Sequence, residues 1–552
     1  MKNSALYLYA LPGALILLAS PLFAQLTDNN ITPNPAKAGI ARSLVNEIGG
    51  GRGDGVTFGN TSLYIISHDP FRAIRRGRQL FQRRFTQEQG QGPSTQSFMV
   101  GGATLNAGIV PNGLTISQLP EIGVGLSDSC ASCHGRPRGS AGASGDTFKR
   151  PDSRDSPHLF GLGLKEMLGD EITQDLRAIR ATAVNTAKST GNGVTLPLMS
   201  KGINYGSITA HKDGTLDTSN VQGVNPDLRV RPIFADGGLF SIRESILATF
   251  KLELGIEAVD PDLTAVHNGQ KVTTPSGLVL DPAQDTFLPI APAAAGTDPD
   301  RDGVTDEFPA SLVDVEEFYL LNYFRPGTYL PDNNSGDGND GRGTHPGLKH
   351  MQQIGCTGCH IQNLPINRDR RSADVSVQYD AVNGGFNHLF ATAVPLLPIT
   401  LPVVQSNNPP VLTPNGNPFL VENIFTDMRR HDLGPNFWER QFDGTLETQF
   451  MTLPLWGVGS TSPYGHDGRS INLNEVILRH GGEAQDVRDK YAQLGAGAQS
   501  QILDFLNSLI LFPPDDTPSN LDPIVPNTPN YPQFGHGSIK LGALFTTTLG
   551  AE

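Results

Sequence analysis

The chain has 552 residues, with 41 Lys+Arg against 55 Asp+Glu and a formal net charge of −14. That length exceeds what a single hydrophobic core supports, so two or more domains are expected, and the acidic balance excludes a general nucleic-acid binder. The 62 glycines and 42 prolines predict many loops, while 38% hydrophobic residues exclude a disordered tail protein and only four cysteines exclude a disulfide-built scaffold.

Residues 1–24 read as a secretory signal peptide: Lys2 supplies the positive start, Ala5 to Ala19 is almost wholly apolar, and Ala24 ends a cleavage site. The other reading, an uncleaved anchor, has an apolar run short for a membrane span. No later stretch reaches the length of a span, so the mature chain is expected to lack one and to be periplasmic or secreted. After an extension over 25–69, Phe71, Ile74, Gly77, Phe81 and Phe85 recur at helical spacing, with Gly77 placed to let a second helix approach closely. The segment from Thr86 to Ser129 is Gly/Ser/Gln-rich and reads as a loop. Glu166 falls on an expected helix. Asp298, Asp300, Asp302 and Asp306, with Gly303 at the sixth place, form the front of a calcium-type loop, but its twelfth place is Pro309. A calcium site and a solvated acidic turn both satisfy that pattern. Leu348, Met351 and Ile354 mark a second helix. Leu473, Val476, Ile477 and His480 mark a short one, with Gly481-Gly482 to end it. Ile502, Phe505, Leu506, Leu509 and Ile510 mark a last helix before Pro513-Pro514. The stretches 331–343, 403–418 and 513–534 read as loops or tail.

The cysteines fall as Cys130-Ala-Ser-Cys133-His134 and Cys356-Thr-Gly-Cys359-His360. Each is C-x-x-C-H, the attachment signature of c-type haem. Two thiols one helical turn apart add to the two vinyl groups of one porphyrin, and the adjacent histidine faces the iron. A zinc site or a redox dithiol pair is the competing reading. Two complete motifs that use every cysteine of an exported chain favour two covalent haems. The expected fold class is mainly α with many loops, as two cytochrome c-like helical haem domains with long insertions. The boundaries are 70–255 for the first haem domain, 256–338 for a linker with the acidic loop, 339–514 for the second haem domain and 515–552 for a Pro-rich tail.

The axial ligands decide what such irons do: two strong ligands suit electron transfer, while an open position admits peroxide or oxygen. His480, on the apolar face of its helix, is a candidate sixth ligand for the second haem, with Met428 and Met451 as rivals. No equal candidate serves the first haem. His158 is the nearest histidine downstream of His134 and reads as a distal ligand, an acid/base, or an ordinary surface or core residue. Glu166 reads as a proton carrier or a solvated side chain. Trp456 reads as an electron relay between haems or as core packing.

The segments SCASCHGRPRGS, RDSPHLFGLGLKEML, FTDMRRHDLGP and LPLWGVGSTSPYGHDGRSINLNEVILRHGGEA resemble the di-haem c-type oxidoreductases, also called thiol oxidoreductases, which are relatives of the bacterial di-haem cytochrome c peroxidases. The resemblance runs from about Phe71 to Phe512. It implies a peroxide site at the N-terminal haem, fed with electrons by the C-terminal haem. It places His480 where the peroxidases carry a methionine, implying a bis-histidine second haem. His466 of the HDGR element matches a family residue, lining the haem region or holding its loop. The chain lacks the peroxidases' histidine before Ser156-Pro157, so the resemblance does not carry their reductive activation over to it. The expected function is thus a di-haem peroxidase, with electrons from a small cytochrome or copper protein and peroxide or another small oxidant as acceptor. A non-enzymatic di-haem carrier and a di-haem oxygenase or protein-modifying enzyme are the alternatives.

Overall fold

The computed structural model describes residues 51–54, 61–86, 89–92, 127–134, 155–300, 303–322, 345–374, 394–395, 414, 416–440 and 445–509. The signal-peptide segment 1–24, most of the loop after Thr86, Asp302, the stretch 331–343, Ile510 and the tail 515–552 lie outside the described residues.

The α-helices are α1 (Ser62–His68), α2 (Pro70–Gln82), α3 (Cys130–His134), α4 (Leu162–Thr190), α5 (Ile242–Thr249), α6 (Pro261–His267), α7 (Ala310–Leu321), α8 (Pro346–Ile354), α9 (Leu473–Arg479), α10 (Gln485–Gln493) and α11 (Ala496–Ser508). The helix read from Phe71 onward is α2. Asp69 caps it through Arg72 N and Pro70 opens it, where proline's missing N–H costs nothing. Its buried face carries Ala73, Ile74, Leu80 and Phe81. That face meets α7, a helix inside the segment expected as linker. The crossing is as tight as Gly77 suggested: a Cβ at Gly77 would stand 2.3 Å from both Tyr319 Cβ and the Val315 carbonyl oxygen.

The second lobe repeats the device. Leu348, Met351 and Ile354 of α8 are buried, as are Ile502, Phe505 and Leu506 of α11. At their crossing a Cβ on Gly347 would stand 1.9 Å from the Gln501 carbonyl oxygen. In each lobe, then, the helix preceding the C-x-x-C-H motif crosses a partner helix at a glycine, because only a missing side chain lets backbone meet backbone at that spacing.

The expectation of a mainly α chain is overturned. Among the described residues helix takes 40% and strand 14%, in one three-stranded and five two-stranded sheets. The largest is an antiparallel meander of β1 (Val194–Ser200), β2 (Ile203–Ala210) and β3 (Leu216–Asp217), with an irregularity in register between Pro197 and Met199. The 29-residue α4 lays Leu164, Leu168, Ile172, Leu176, Ala183 and Ala187 on this sheet, against Leu198, Tyr205 and Ile208. The same cluster takes in Leu364, Ile366, Val421 and Trp456, so residues from both halves of the chain share one core. Short ladders, such as Leu364–Ile366 on Phe419–Val421, order segments whose glycine and proline content reads as loop.

Polar groups knit the first lobe. Arg243, on α5, is fully buried, with Asp260 at 2.7 Å, Asp314 at 3.0 Å and Glu317 at 2.7 Å. Asp314 also receives Arg52 at 3.1 Å and the Ser62 hydroxyl at 2.6 Å. No helix among the described residues is long and apolar enough to cross a membrane.

Candidate functional site

Both C-x-x-C-H motifs open onto one cavity of about 820 Å³. The first motif is α3 itself. The second begins with a single 3-10 turn, Cys356–Gly358, after Gly355 ends α8. All four cysteines line this cavity, half-buried, and none is in a disulfide. Burial pushes the Cys130 thiol well above its ordinary range, with the nearby Glu316 carboxylate adding to the rise, and pushes the Cys356 thiol up to about 11.

Three cavity histidines share one arrangement. His134 Nδ1 lies 2.6 Å from the Pro157 carbonyl, His360 Nδ1 lies 3.1 Å from that of Phe425, and His480 Nδ1 lies 2.7 Å from that of Val476. A carbonyl only accepts, so Nδ1 is the donor in each, and Nε2 keeps its lone pair. That is how proteins orient a metal-ligating imidazole. Burial lowers the pKa of all three, His480 to about 4, and the neutral form this favours is the one that binds metal. His360 is close enough to His480 to add to the fall in its pKa. The helix read through His480 stops one residue earlier: α9 ends at Arg479, and His480 is its C-cap in an extended conformation. The turn out of the helix, rather than its apolar stripe, presents the imidazole.

The other residues singled out in the sequence are placed as follows. His158 donates from Nε2 to the Trp456 carbonyl at 3.0 Å, and burial drives its pKa to about 3. It lies beside Pro157 on the His134 side of the cavity. Glu166 is not on the cavity wall. Its carboxylate takes Ile242 N at 2.8 Å and Arg370 at 2.8 Å, a structural tie at the start of α4. A proton-carrier role for Glu166 is thereby corrected, since both oxygens are spent in the core. His466 lines the cavity and also holds its loop: its ring stacks on Phe450 at 3.8 Å, its Nε2 is 3.3 Å from Glu439, and its carbonyl accepts from Asp155 N. Met428 is buried in the core shared with α4, whereas Met451 reaches the cavity. In the acidic loop Asp298 accepts from Gly303 N and Asp306 from Gly296 N. Two of the four carboxylates are therefore used to fold the turn.

The structure adds residues that the sequence did not point to. Glu316, on α7, lines the cavity with neither carboxylate oxygen hydrogen-bonded, and burial pushes its pKa well above the usual carboxylate range. Lys165 also lines the wall, its pKa brought down by burial to about 8. Asp155 is raised to about 7 by burial and by the neighbouring Asp467. Helix α7 is buried on every side, so no periodicity distinguished Glu316 from its neighbours. Cys359, Asp427 and His431 are also grouped at metal-ligand spacing. Against the downward pull of burial, however, hydrogen bonds to Asp427 and Cys359 lift the His431 pKa to about 11. A protonated imidazole has no lone pair for a metal.

Fold and site together define a chain with paired thiol–imidazole motifs around one shared, largely apolar cavity. Residues 420–509 match the family model described as "Di-haem oxidoreductase, putative peroxidase". Over that segment the chain is similar to the di-haem oxidoreductases, a family whose description implies haem as the cofactor. A comparison with curated proteins finds no match. The residues present fit haem: paired thiols outside any disulfide, imidazoles tethered through Nδ1 with the neutral form favoured by burial, and a largely apolar cavity between them.

Proposed function

We propose that this chain is an exported di-haem c-type peroxidase. In this reading Cys130 and Cys133 hold one porphyrin and Cys356 and Cys359 the other. His134 and His360 are the proximal ligands, and His480 is the sixth ligand of the second haem. One observation carries the reading: three histidines with Nδ1 committed to a backbone carbonyl converge, with all four thiols, on one cavity.

Haem iron, when bound, supplies one-electron chemistry and, where an axial position is open, a place for a peroxide oxygen. The chain's own residues divide the remaining work. The Pro157 and Phe425 carbonyls fix the tautomer and aim of His134 and His360. The His480 imidazole, neutral down to about pH 4, closes the second site against ligands from solvent. Glu316, on the cavity wall, has its protonated form favoured by burial and can give that proton to a reduced oxygen and take it back. Lys165 offers a cation for a propionate on the cavity wall. Peroxide takes up two electrons and two protons to yield two waters. The electrons arrive singly from a small cytochrome or copper protein.

The test is electron paramagnetic resonance of the half-reduced holoprotein beside peroxide turnover with a reduced small cytochrome. One high-spin and one low-spin haem with turnover is the expected result. Two low-spin haems in every redox state and no turnover would replace the enzyme with a carrier. Oxygen uptake with an organic polymer, without peroxide turnover, would replace it with an oxygenase.

A further inference from the structure

We infer that His158 is the bridging residue of a through-bond electron route joining the two proximal histidines. The inference rests on the proposed di-haem reading and adds to it the residues that couple the two sites. The route is continuous. His134 Nδ1 donates to the Pro157 carbonyl at 2.6 Å. The peptide bond leads from Pro157 into His158, whose Nε2 donates to the Trp456 carbonyl at 3.0 Å. One peptide bond back from Trp456, Leu455 N donates to the Ile424 carbonyl at 3.1 Å. One peptide bond on from Ile424, the Phe425 carbonyl accepts from His360 Nδ1 at 3.1 Å. Four hydrogen bonds and otherwise covalent bonds link the two imidazoles, with no gap across open space.

An ordinary buried histidine satisfies both ring nitrogens or packs as an aromatic. The His158 ring packs on Phe160 at 6.0 Å, yet its Nδ1 is buried with no partner, while its Nε2 makes the contact that joins distant segments. The segments it joins are 298 residues apart in sequence. The Trp456 and Ile424 links run through carbonyls, which cannot donate a proton, so the route serves electrons and not proton transfer. With haem held at both sites, the route would carry one electron from the reduced second site to the oxidised first site, with no bond made or broken on the way.

The tryptophan enters the route through its main-chain oxygen, which separates this route from one through the indole. The Trp456 ring lies against Gly161, where an added Cβ would stand 2.8 Å from ring atoms. Trp456→Phe removes the indole and keeps the carbonyl. His158→Phe keeps a ring and removes the Nε2 donor. His158→Gln restores an N–H donor on a different side chain.

The experiment measures interhaem electron transfer in the half-reduced holoprotein after flash photoreduction, with both midpoint potentials and the electron paramagnetic resonance of the first haem. His158→Phe is expected to slow transfer by about tenfold at unchanged potentials, with His158→Gln recovering part of the rate and Trp456→Phe close to wild type. Unchanged transfer in His158→Phe, or slowing confined to Trp456→Phe, overturns the route while leaving the di-haem reading intact. Slowing that tracks a shifted potential also overturns it, since His158 would then act through driving force. Absence of covalent haem, by contrast, overturns the underlying reading itself.

Discussion

His431 Nδ1 lies 2.7 Å from Glu483 Oε2, and this pair ties the segment after Asp427 to the loop that presents His480. The same carboxylate accepts Asp432 N at 3.0 Å, and Glu483 N and Gly481 N return hydrogen bonds to the Asp432 and Leu433 carbonyls. His431 is held from its other side by Asp427 at 2.8 Å.

That clamp makes Glu483 a positioning residue for His480. Glu483→Gln keeps the shape and loses the charge, so the loop should loosen by about 1 kcal/mol. The expected outcome is a lower melting temperature for the low-spin signal of the second haem, with the first haem unchanged. Identical melting of that signal in variant and parent would remove the positioning role.

His480→Ala should convert the second haem from low-spin to high-spin, and added imidazole should restore the low-spin spectrum. If the spectrum of the variant matches the parent, Met451 or another group is the ligand and the His480 assignment fails.

The pH dependence of the same residue has a definite sign. In the fold the imidazole titrates near 4, below its ordinary 6.5, so between those values the unfolded chain binds a proton that the folded chain refuses. The contribution of His480 to stability is complete above about pH 6.5 and is lost as pH falls toward 4. Iron ligation deepens the effect. A spectroscopic acid titration should therefore keep the second haem low-spin down to at least about pH 4. A transition to high spin near pH 6 would contradict this.

Glu316→Gln keeps the buried volume and removes the proton that the cavity wall can exchange. Peroxide turnover should fall by about a hundredfold, while thermal stability and haem spectra stay close to the parent, because burial already favours the neutral form of the parent side chain. Full turnover in the variant would move proton delivery elsewhere on the wall.

Arg243→Ala leaves Asp260, Asp314 and Glu317 buried without their shared cation. Loss of a buried partner of this kind costs about 3–5 kcal/mol, read as a shift in the urea or thermal unfolding midpoint. Arg243→Ala combined with Glu317→Gln and Asp260→Asn should recover part of it. A shift within a few tenths of a kcal/mol would mean that the carboxylates are already protonated in the fold.

What was legible in the chain was what depends on near neighbours. Thiol and imidazole spacing in each motif, the apolar faces of α2, α8 and α11, and the small residue at Gly77 are all local patterns, and local patterns survive without knowledge of the fold. Two expectations failed, each for its own reason. Glu166 looked free because its partners, Ile242 and Arg370, are 76 and 204 residues away. The chain looked mainly helical because the strands that pair are brief and bounded by glycine and proline.

The sequence by itself determined that two thiol–imidazole motifs exist and which residues compose them, since the spacing needed to grip one porphyrin spans a single turn of backbone. Only the tertiary structure decided that both motifs face one cavity, that Glu316 rather than Glu166 reaches it, and that His480 turns out of its helix toward His360. Those outcomes depend on long-range packing of α4, α7 and the 420–509 segment, whose contacts join residues too far apart in the chain for any periodicity to reveal.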